Sequence, residues 1–302
     1  MPANVAGGYA HPGYAASLAG FGAPRLLPRS GGHVLERRIP GTPHQDAMGP
    51  YPLFACRDWP GLQEDLEEIP GLVTLTVVTD PFGEYDERLL DNCFEVVRPF
   101  KEHFVADLTL PVNEIVSKHH RYYARKALEK VRVEECAEPA RFLDEWTELY
   151  AGLVRRHGLT GIKAFSRDAF ARQLRVPGVV ALRAVSGEET VGMHLWYVSG
   201  EVAYSHLAAS SPKGYGLMAA YALYRLAVER FAGRVRWLDL GAGAGAGKET
   251  GGLDRFKKGW STGTRTAYLC GRVFDRETYA ELSGAKAAGP GYFPAYRTDE
   301  LT

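Results

Sequence analysis

The residues best suited to acyl chemistry lie late in a chain of 302 residues. Leu253-Asp254-Arg255-Phe256-Lys257-Lys258-Gly259-Trp260 is a basic and aromatic cluster on a predicted short helix. A lysine there can stabilise the negative oxygen of a tetrahedral acyl-transfer intermediate. Taken by themselves, Lys257 and Lys258 also read as ordinary exposed lysines. Lys213-Gly214-Tyr215-Gly216 opens a predicted long helix. Glycines let backbone N–H groups point into an opening, and a helix N-terminus carries positive dipole, so this turn suits a phosphate or an oxyanion. The plainer alternative is a strand-to-helix turn in which glycine only relieves strain. His194, Tyr204 and His206 are polar residues on otherwise apolar predicted strands, and strand alternation puts His194 with Trp196 on one face, Met193 with Leu195 on the other. A histidine beside an opening can serve as general base, although buried histidines are more often held by backbone. Lys118, His119, His120, Arg121, Arg125 and Lys126, interleaved with Tyr122 and Tyr123, form the most basic stretch. They could meet the phosphates of RNA or of a nucleotide-linked substrate, or form a solvated face.

Other chemistries are argued against. Asp239-Leu240-Gly241-Ala242-Gly243-Ala244-Gly245 looks like the D-x-G-x-G-x-G loop of S-adenosylmethionine-dependent methyltransferases. That loop opens a doubly wound domain, and the roughly sixty residues left here are too few for one. Gly247-Lys248 is followed by Glu249, and Ala242 stands where a P-loop needs glycine, so nucleotide hydrolysis is not implied. Gly241 to Gly252 reads instead as a flexible loop able to order over substrate. Cys56, Cys93, Cys136 and Cys270 form no C-x-x-C pair and signal neither a zinc site nor a disulfide framework, which fits reduced thiols in the cytoplasm. No Ser-His-Asp, Cys-His or H-E-x-x-H arrangement is specified by spacing, so neither an acyl-enzyme nor a metal is expected. Basic and acidic residues number 36 each, so nucleic acid would need a local patch. No signal peptide is visible, and no run reaches ~18 apolar residues.

These residues must be positioned by the elements around them. The first hundred residues are rich in Gly and Pro, with one clear strand at 72–78 and an extended stretch at 103–110 before Pro111. Helices are predicted over 112–130 and 138–157, the second with an apolar stripe of Phe142, Trp146, Leu149, Tyr150 and Leu153 and a stop at Gly158. Strands at 179–185, 190–198 and 201–209, joined by glycine turns, make an antiparallel meander. A helix at 217–231, a strand at 235–240, a helix at 252–260 and a strand at 266–273 follow. A meander followed by a helix must cross over to a strand that pairs in parallel, which creates an opening where the sheet changes sense.

In order, KHHRYYARKALE, VGMHLWYVSGEVAYSHLAASS, LMAAYALYRLAVERFA, RWLDLGAG and GLDRFKKGW resemble the second GNAT-like half of Fem-type proteins, over about Asp107 to Val273. Pro50-Tyr51-Pro52 and VVTDPFG are similar to pieces of a degenerate first half. The resemblance implies an α/β (α+β) fold, a GNAT-like mixed sheet flanked by helices in two tandem halves. Residues 1–105 would form the first half and 106–302 the second, site-bearing half, the last stretch being able to pack back on the first. Family members transfer an amino acid from aminoacyl-tRNA to an amine of a peptidoglycan precursor, or add a residue to peptide antibiotics. Their closing Phe-Lys lies at the reaction centre, which implies Phe256 and Lys257, with His194 and Tyr204 as further catalytic candidates. Donor binding would fall to Lys213, Gly214, Tyr215 and Gly216, and tRNA phosphates to Lys118, His119, Arg121 and Arg125. The implied partners are an aminoacyl-tRNA or a coenzyme A thioester and an amine-bearing small molecule or peptide, with no tightly bound cofactor, metal or DNA. Two departures matter: the helical coiled-coil arm of some members has no counterpart, and Ser211 stands where coenzyme A-dependent GNAT proteins carry Gln or Arg. The first weakens a cell-wall bridging role. The second favours aminoacyl-tRNA over acyl-CoA.

Overall fold

A computed structural model of the chain describes residues 7–243, 251–284 and 292–298. Residues 244–250, which hold most of the predicted glycine-rich loop together with Gly247-Lys248, lie outside the described residues. The chain opens with α1 (Pro12–Ser17), β1 (Ala23–Leu26), β2 (His33–Arg38), β3 (Gln45–Met48), α2 (Leu62–Glu68), β4 (Thr74–Val78), α3 (Glu87–Cys93) and β5 (Val96–Asp107). Then come α4 (Val112–Ile115), α5 (Lys118–Leu128), β6 (Arg132–Glu135), α6 (Leu143–His157), α7 (Arg167–Gln173), β7 (Val179–Ser186), β8 (Glu189–Ser199) and β9 (Val202–Ser210). It closes with α8 (Pro212–Gly216), α9 (Ala219–Phe231), β10 (Trp237–Asp239), α10 (Gly252–Lys258), β11 (Gly263–Val273) and α11 (Arg276–Ser283).

Two compact units result, one of Glu102–Arg265 with Gly7 and Gly8, the other of Tyr9–Lys101 with the chain from Thr266 onward. In the second unit β1, β2 and β3 pair antiparallel in turn, β3 pairs β4 in parallel, and β4 pairs β11 antiparallel. Its core gathers Val34, Phe54, Trp59, Leu62, Leu75, Val77, Leu90 and Cys270. The 292–298 segment is tied down by Arg297, whose Nε and Nη2 donate to the buried Asp46 carboxylate at 2.5 and 3.0 Å. β1 to β3 escaped prediction because they are short and broken by Gly and Pro.

In the first unit the sheet runs β6-β7-β8-β9-β10-β5, antiparallel throughout except for the parallel pair β9/β10. The meander turns at Gly187 and Gly200, both with φ above zero, where a side chain would be strained. One sheet face is covered by α9, whose Ala219, Ala222, Leu223, Ala227, Val228 and Phe231 are buried at three-and-four spacing. The alanines let α9 lie close to Val180, Leu182, Ala184, Trp196 and Ala203 of the strands. The other face carries α6 and α7, where Phe170 meets Trp146 and Tyr150 edge-on, with centroids 5.5 and 4.9 Å apart. Gly158, left-handed at φ 60, ends α6 as predicted. The predicted 112–130 helix is instead broken: Ser117 adopts extended geometry and caps α5, its Oγ accepting from His120 N.

Candidate active site at the split of β9 and β10

β9 and β10 pair only over Val202–Tyr204 and Trp237–Asp239, after which β9 continues to Ser210 while the other chain turns away. The split is the opening that the strand order predicts. The turn is held by Asp239, whose Oδ1 accepts from Gly241 N at 2.7 Å and whose carboxylate meets His103 Nδ1 at 2.9–3.0 Å. Gly241 takes φ 74, and a Cβ there would stand 3.2 Å from the Lys257 Nζ.

α10 delivers Lys257 to this turn, where its Nζ donates to the Ala242 carbonyl at 2.6 Å. The adjacent Phe256 ring lies edge-on to Tyr221 and Tyr224, both 4.9 Å away between centroids. His120 fixes α10 from below. Its Nε2–H donates to the Phe256 carbonyl at 3.0 Å, which leaves Nδ1 to accept from the Ser117 hydroxyl at 2.8 Å. A carbonyl can only accept, so the tautomer follows from the geometry. Burial, the largest cause, lowers the His120 pKa and keeps the ring neutral. Gly259 packs on the same imidazole, so closely that a Cβ would fall 2.0 Å from Cε1.

His194 has no exposed surface. Its Nε2 meets Ser205 Oγ at 2.8 Å, its ring lies against Trp196 and Tyr224, and Nδ1 has no partner among the described residues. Burial first, then the Lys257 charge, push its pKa down to about 3. A general base must gain a proton, and this environment opposes that. Tyr204 is in register with Tyr197 and with Asp239, on the sheet face opposite His194. His206 shares the Tyr204 face, packed on Tyr197 with Nε2 3.3 Å from Gln173 Oε1, its pKa also lowered to about 3 by burial.

The Lys213–Gly216 turn forms α8. A Cβ on Gly214 would fall 1.9 Å from the Val191 carbonyl oxygen, so close approach to β8 is what this glycine serves. Ser211 Oγ accepts from Gly214 N at 3.1 Å, Lys213 Nζ pairs with Glu189 at 2.7 Å, Tyr215 lies under the Arg156 guanidinium at 4.1 Å, and Gly216 is exposed. Ser211, Pro212 and Tyr215 line a cavity of about 700 Å³ with charged residues such as Glu145, Arg155 and Glu188, and neither Phe256 nor Lys257 is among its lining.

On α5, Lys118, His119 and Arg125 are exposed, while Arg121 Nη1 donates to the carbonyls of Asn113 and Val116 and so closes α4. The inner face of α5 supports the aromatic group through Tyr123, 5.4 Å from Tyr221. Residue types and spacing singled out neither Ser205, Tyr221, Tyr224 nor the His103–Asp239 pair. The signals available were the alternation of β9, the three-residue step of the two tyrosines on α9, and the Asp239 that had read as part of a methyltransferase loop. Among the described residues, no group of three or more His, Cys, Asp or Glu is placed to hold a metal, and no helix is long and apolar enough to cross a membrane.

Residues 116–258 match the family model of the acetyltransferase (GNAT) domain. The fold is similar to that of FemX, at TM-score 0.67 and 12% identity over 90% of this chain and 93% of that one. It is similar also to the C-terminal domain of a putative lysylphosphatidylglycerol synthetase from Agrobacterium fabrum, at TM-score 0.60 and 15% identity over 86% and 87% of the two chains. L-PGS from Bacillus licheniformis gives TM-score 0.54 and 16% identity over 88% and 93%. No curated protein matches the chain in sequence.

Proposed function

From a GNAT fold shared with FemX, we propose that this protein is an acyltransferase that forms an amide bond on a free amine, drawing the acyl group from an aminoacyl-tRNA. The observation that carries the proposal is the Lys257 ammonium, held against the Ala242 carbonyl at the β9/β10 split and anchored by the edge-on packing of Phe256 against Tyr224. An acceptor amine attacks the ester carbonyl, the C–N bond forms, and the carbonyl oxygen becomes an oxyanion that Lys257 stabilises. On collapse the C–O bond to the ribose breaks, and the amine proton passes to the leaving hydroxyl. The acceptor is a peptide or small molecule bearing an amine, met in the cytoplasm, and no tightly bound cofactor is invoked.

The choice of donor is supported by α8. The N–H groups of Gly214 and Tyr215 are spent on Ser211, Gly214 is packed on β8, and Lys213 is paired with Glu189, which leaves little for a pyrophosphate. The exposed Lys118, His119 and Arg125 of α5 offer a local basic patch for tRNA phosphates. Charged tRNA should therefore raise the melting temperature of the purified protein more than acetyl-CoA does; preferential protection by acetyl-CoA would make it an acyl-CoA-dependent N-acetyltransferase. Lys257→Met should lower kcat by about 10²–10³-fold, the loss seen when an oxyanion donor is removed. Full turnover in that variant removes the role given to Lys257.

One observation favours a second reading, a GNAT-like module that binds without chemistry: the cavity lined by Ser211, Pro212 and Tyr215 does not have Lys257 among its lining. Protection by charged tRNA without any transfer to an amine distinguishes it.

A further inference from the structure

We infer that the cavity of about 700 Å³ between α6, the β7–β8 turn and α8 is a second binding site, for a short peptide held by its two charged termini. Its volume is in the range of small-molecule sites. The inference goes beyond the acyl-transfer reading and does not rest on it, since neither Phe256 nor Lys257 lines the cavity.

The first sign is Gly152, which stands inside α6 and lines the cavity. Glycine is less favourable in a helix interior than every residue but proline, so its presence there needs a cause. Packing supplies none. A Cβ on Gly152 would meet only Arg155 Nη2, at 4.0 Å, which is ordinary contact. Gly214 differs, because β8 leaves no room for its side chain. What Gly152 provides is bare backbone on the cavity wall, so that another chain can lie close against α6. Leu149, buried and three residues earlier, continues that wall as an apolar surface.

The second sign is charge that the fold does not consume. Part of the lining is paired: Arg183 meets Glu145 at 3.2 Å, and Glu189 meets Lys213 at 2.7 Å. Glu148, Glu188 and Arg155 also line the cavity and have no ion-pair partner among the described residues. Arg156 gives one face to the Tyr215 ring at 4.1 Å, which leaves the N–H groups at its edge for a ligand. Two carboxylates and two guanidiniums are therefore left over. A dianion would be repelled by Glu148 and Glu188, a polyamine by Arg155 and Arg156, whereas a molecule with an ammonium at one end and a carboxylate at the other satisfies both. Glu148 and Arg155 lie two turns apart on the stripe of α6 that holds Gly152, a rise of about 10 Å. An extended chain advances about 3.3–3.6 Å per residue, so three residues span that rise. The peptide ammonium then lies by Glu148, its backbone crosses Gly152, and its carboxylate meets the forks of Arg155 and Arg156.

The test melts the full chain with a mixed-sequence tripeptide pool, taking the apparent Kd from the dependence of Tm on pool concentration. The pool with both termini free should raise Tm, and the same pool acetylated at the amine or amidated at the carboxyl should bind at least about tenfold more weakly. Glu148→Gln should erase the preference for a free amine alone. Arg155→Gln with Arg156→Gln should erase the preference for a free carboxylate alone, a split that a merely structural role for these groups does not produce. Gly152→Leu, whose side chain has room in the unliganded protein, should keep the wild-type Tm and lose the protection, while Lys257→Met keeps both. No protection by the free pool, or equal protection by the blocked pools or by inorganic phosphate, would overturn the assignment. So would protection that survives in Gly152→Leu or vanishes in Lys257→Met, the latter placing the peptide at the acyl-transfer centre. If Gly152→Leu melts early, the two glutamine variants decide: unchanged preferences in both overturn the site. Each of these failures leaves the acyl-transfer reading standing, because transfer to an amine is scored separately in Lys257→Met.

Discussion

At Gly214 the absence of a side chain has a local cause and a measurable one. The position is buried, and a methyl group would lie 1.9 Å from the Val191 oxygen and 2.9 Å from its carbonyl carbon, both backbone atoms of β8 that cannot swing aside. Gly214→Ala should thus destabilise the protein by about 1–3 kcal/mol, as overpacking does, read from the midpoint of chemical denaturation. A glycine kept for a phosphate would behave in the opposite way: alanine would leave the midpoint unchanged and weaken only the ligand. The same residue type at Gly241 serves another end, since φ 74 lets the chain turn immediately beyond Asp239 and brings the Ala242 carbonyl under Lys257. Identical letters in a turn thus carry different physics, which is set by what approaches the α-carbon.

At the scale of elements, the position of Lys257 depends on how α10 rests on α5. His120 is locked at both nitrogens, to Ser117 and to the Phe256 carbonyl, so the ring cannot move away from a methyl group placed on Gly259. Gly259→Ala should shift α10, lowering kcat at least tenfold, because misplacement near 1 Å at a reacting group can cost about 10²-fold. Adding His120→Ala should relieve the clash, so that the double variant is more stable than the sum of the singles predicts; additivity in thermal melts sinks this account of the docking. Such contacts are where sequence reasoning stopped. The meander, α9 and its face were legible because period-two and period-3.6 patterns are local, and the parallel crossover followed from connectivity. The break at Ser117 was not, since a capped extended residue inside a basic run leaves no mark in periodicity. Lys257 could be singled out only through its resemblance to a closing Phe-Lys, and the docking of Phe256 on Tyr221 and Tyr224 not at all, because those two rings come from another element, α9.

At the scale of the molecule, His194 and His206 bury neutral imidazoles on opposite faces of one sheet, each with a pKa lowered from 6.5 to about 3, mainly by burial. His33 and His120 are lowered for the same leading reason. Because folding depresses these values, the unfolded chain binds more protons than the native one between pH 6.5 and 3. The contribution to stability is therefore fully present above pH 6.5 and is lost as pH falls through that window, at up to about 1.4 kcal/mol per pH unit for each histidine. Between pH 6.5 and 5 ordinary carboxylates are still largely ionised in both states, so the histidines dominate the slope there. Denaturation midpoints measured from pH 7.5 to 5 should stay level above about 7 and then fall, with proton uptake on unfolding approaching two or more. His206→Gln should flatten the slope by close to one proton per molecule. A wild type whose stability is constant from pH 7 to 5 would mean that water reaches these imidazoles and that the sheet beneath the split is looser than its packing indicates. That looseness would bear directly on function, since the same His194 that resists protonation packs on Tyr224, the ring against which Phe256 rests beside Lys257.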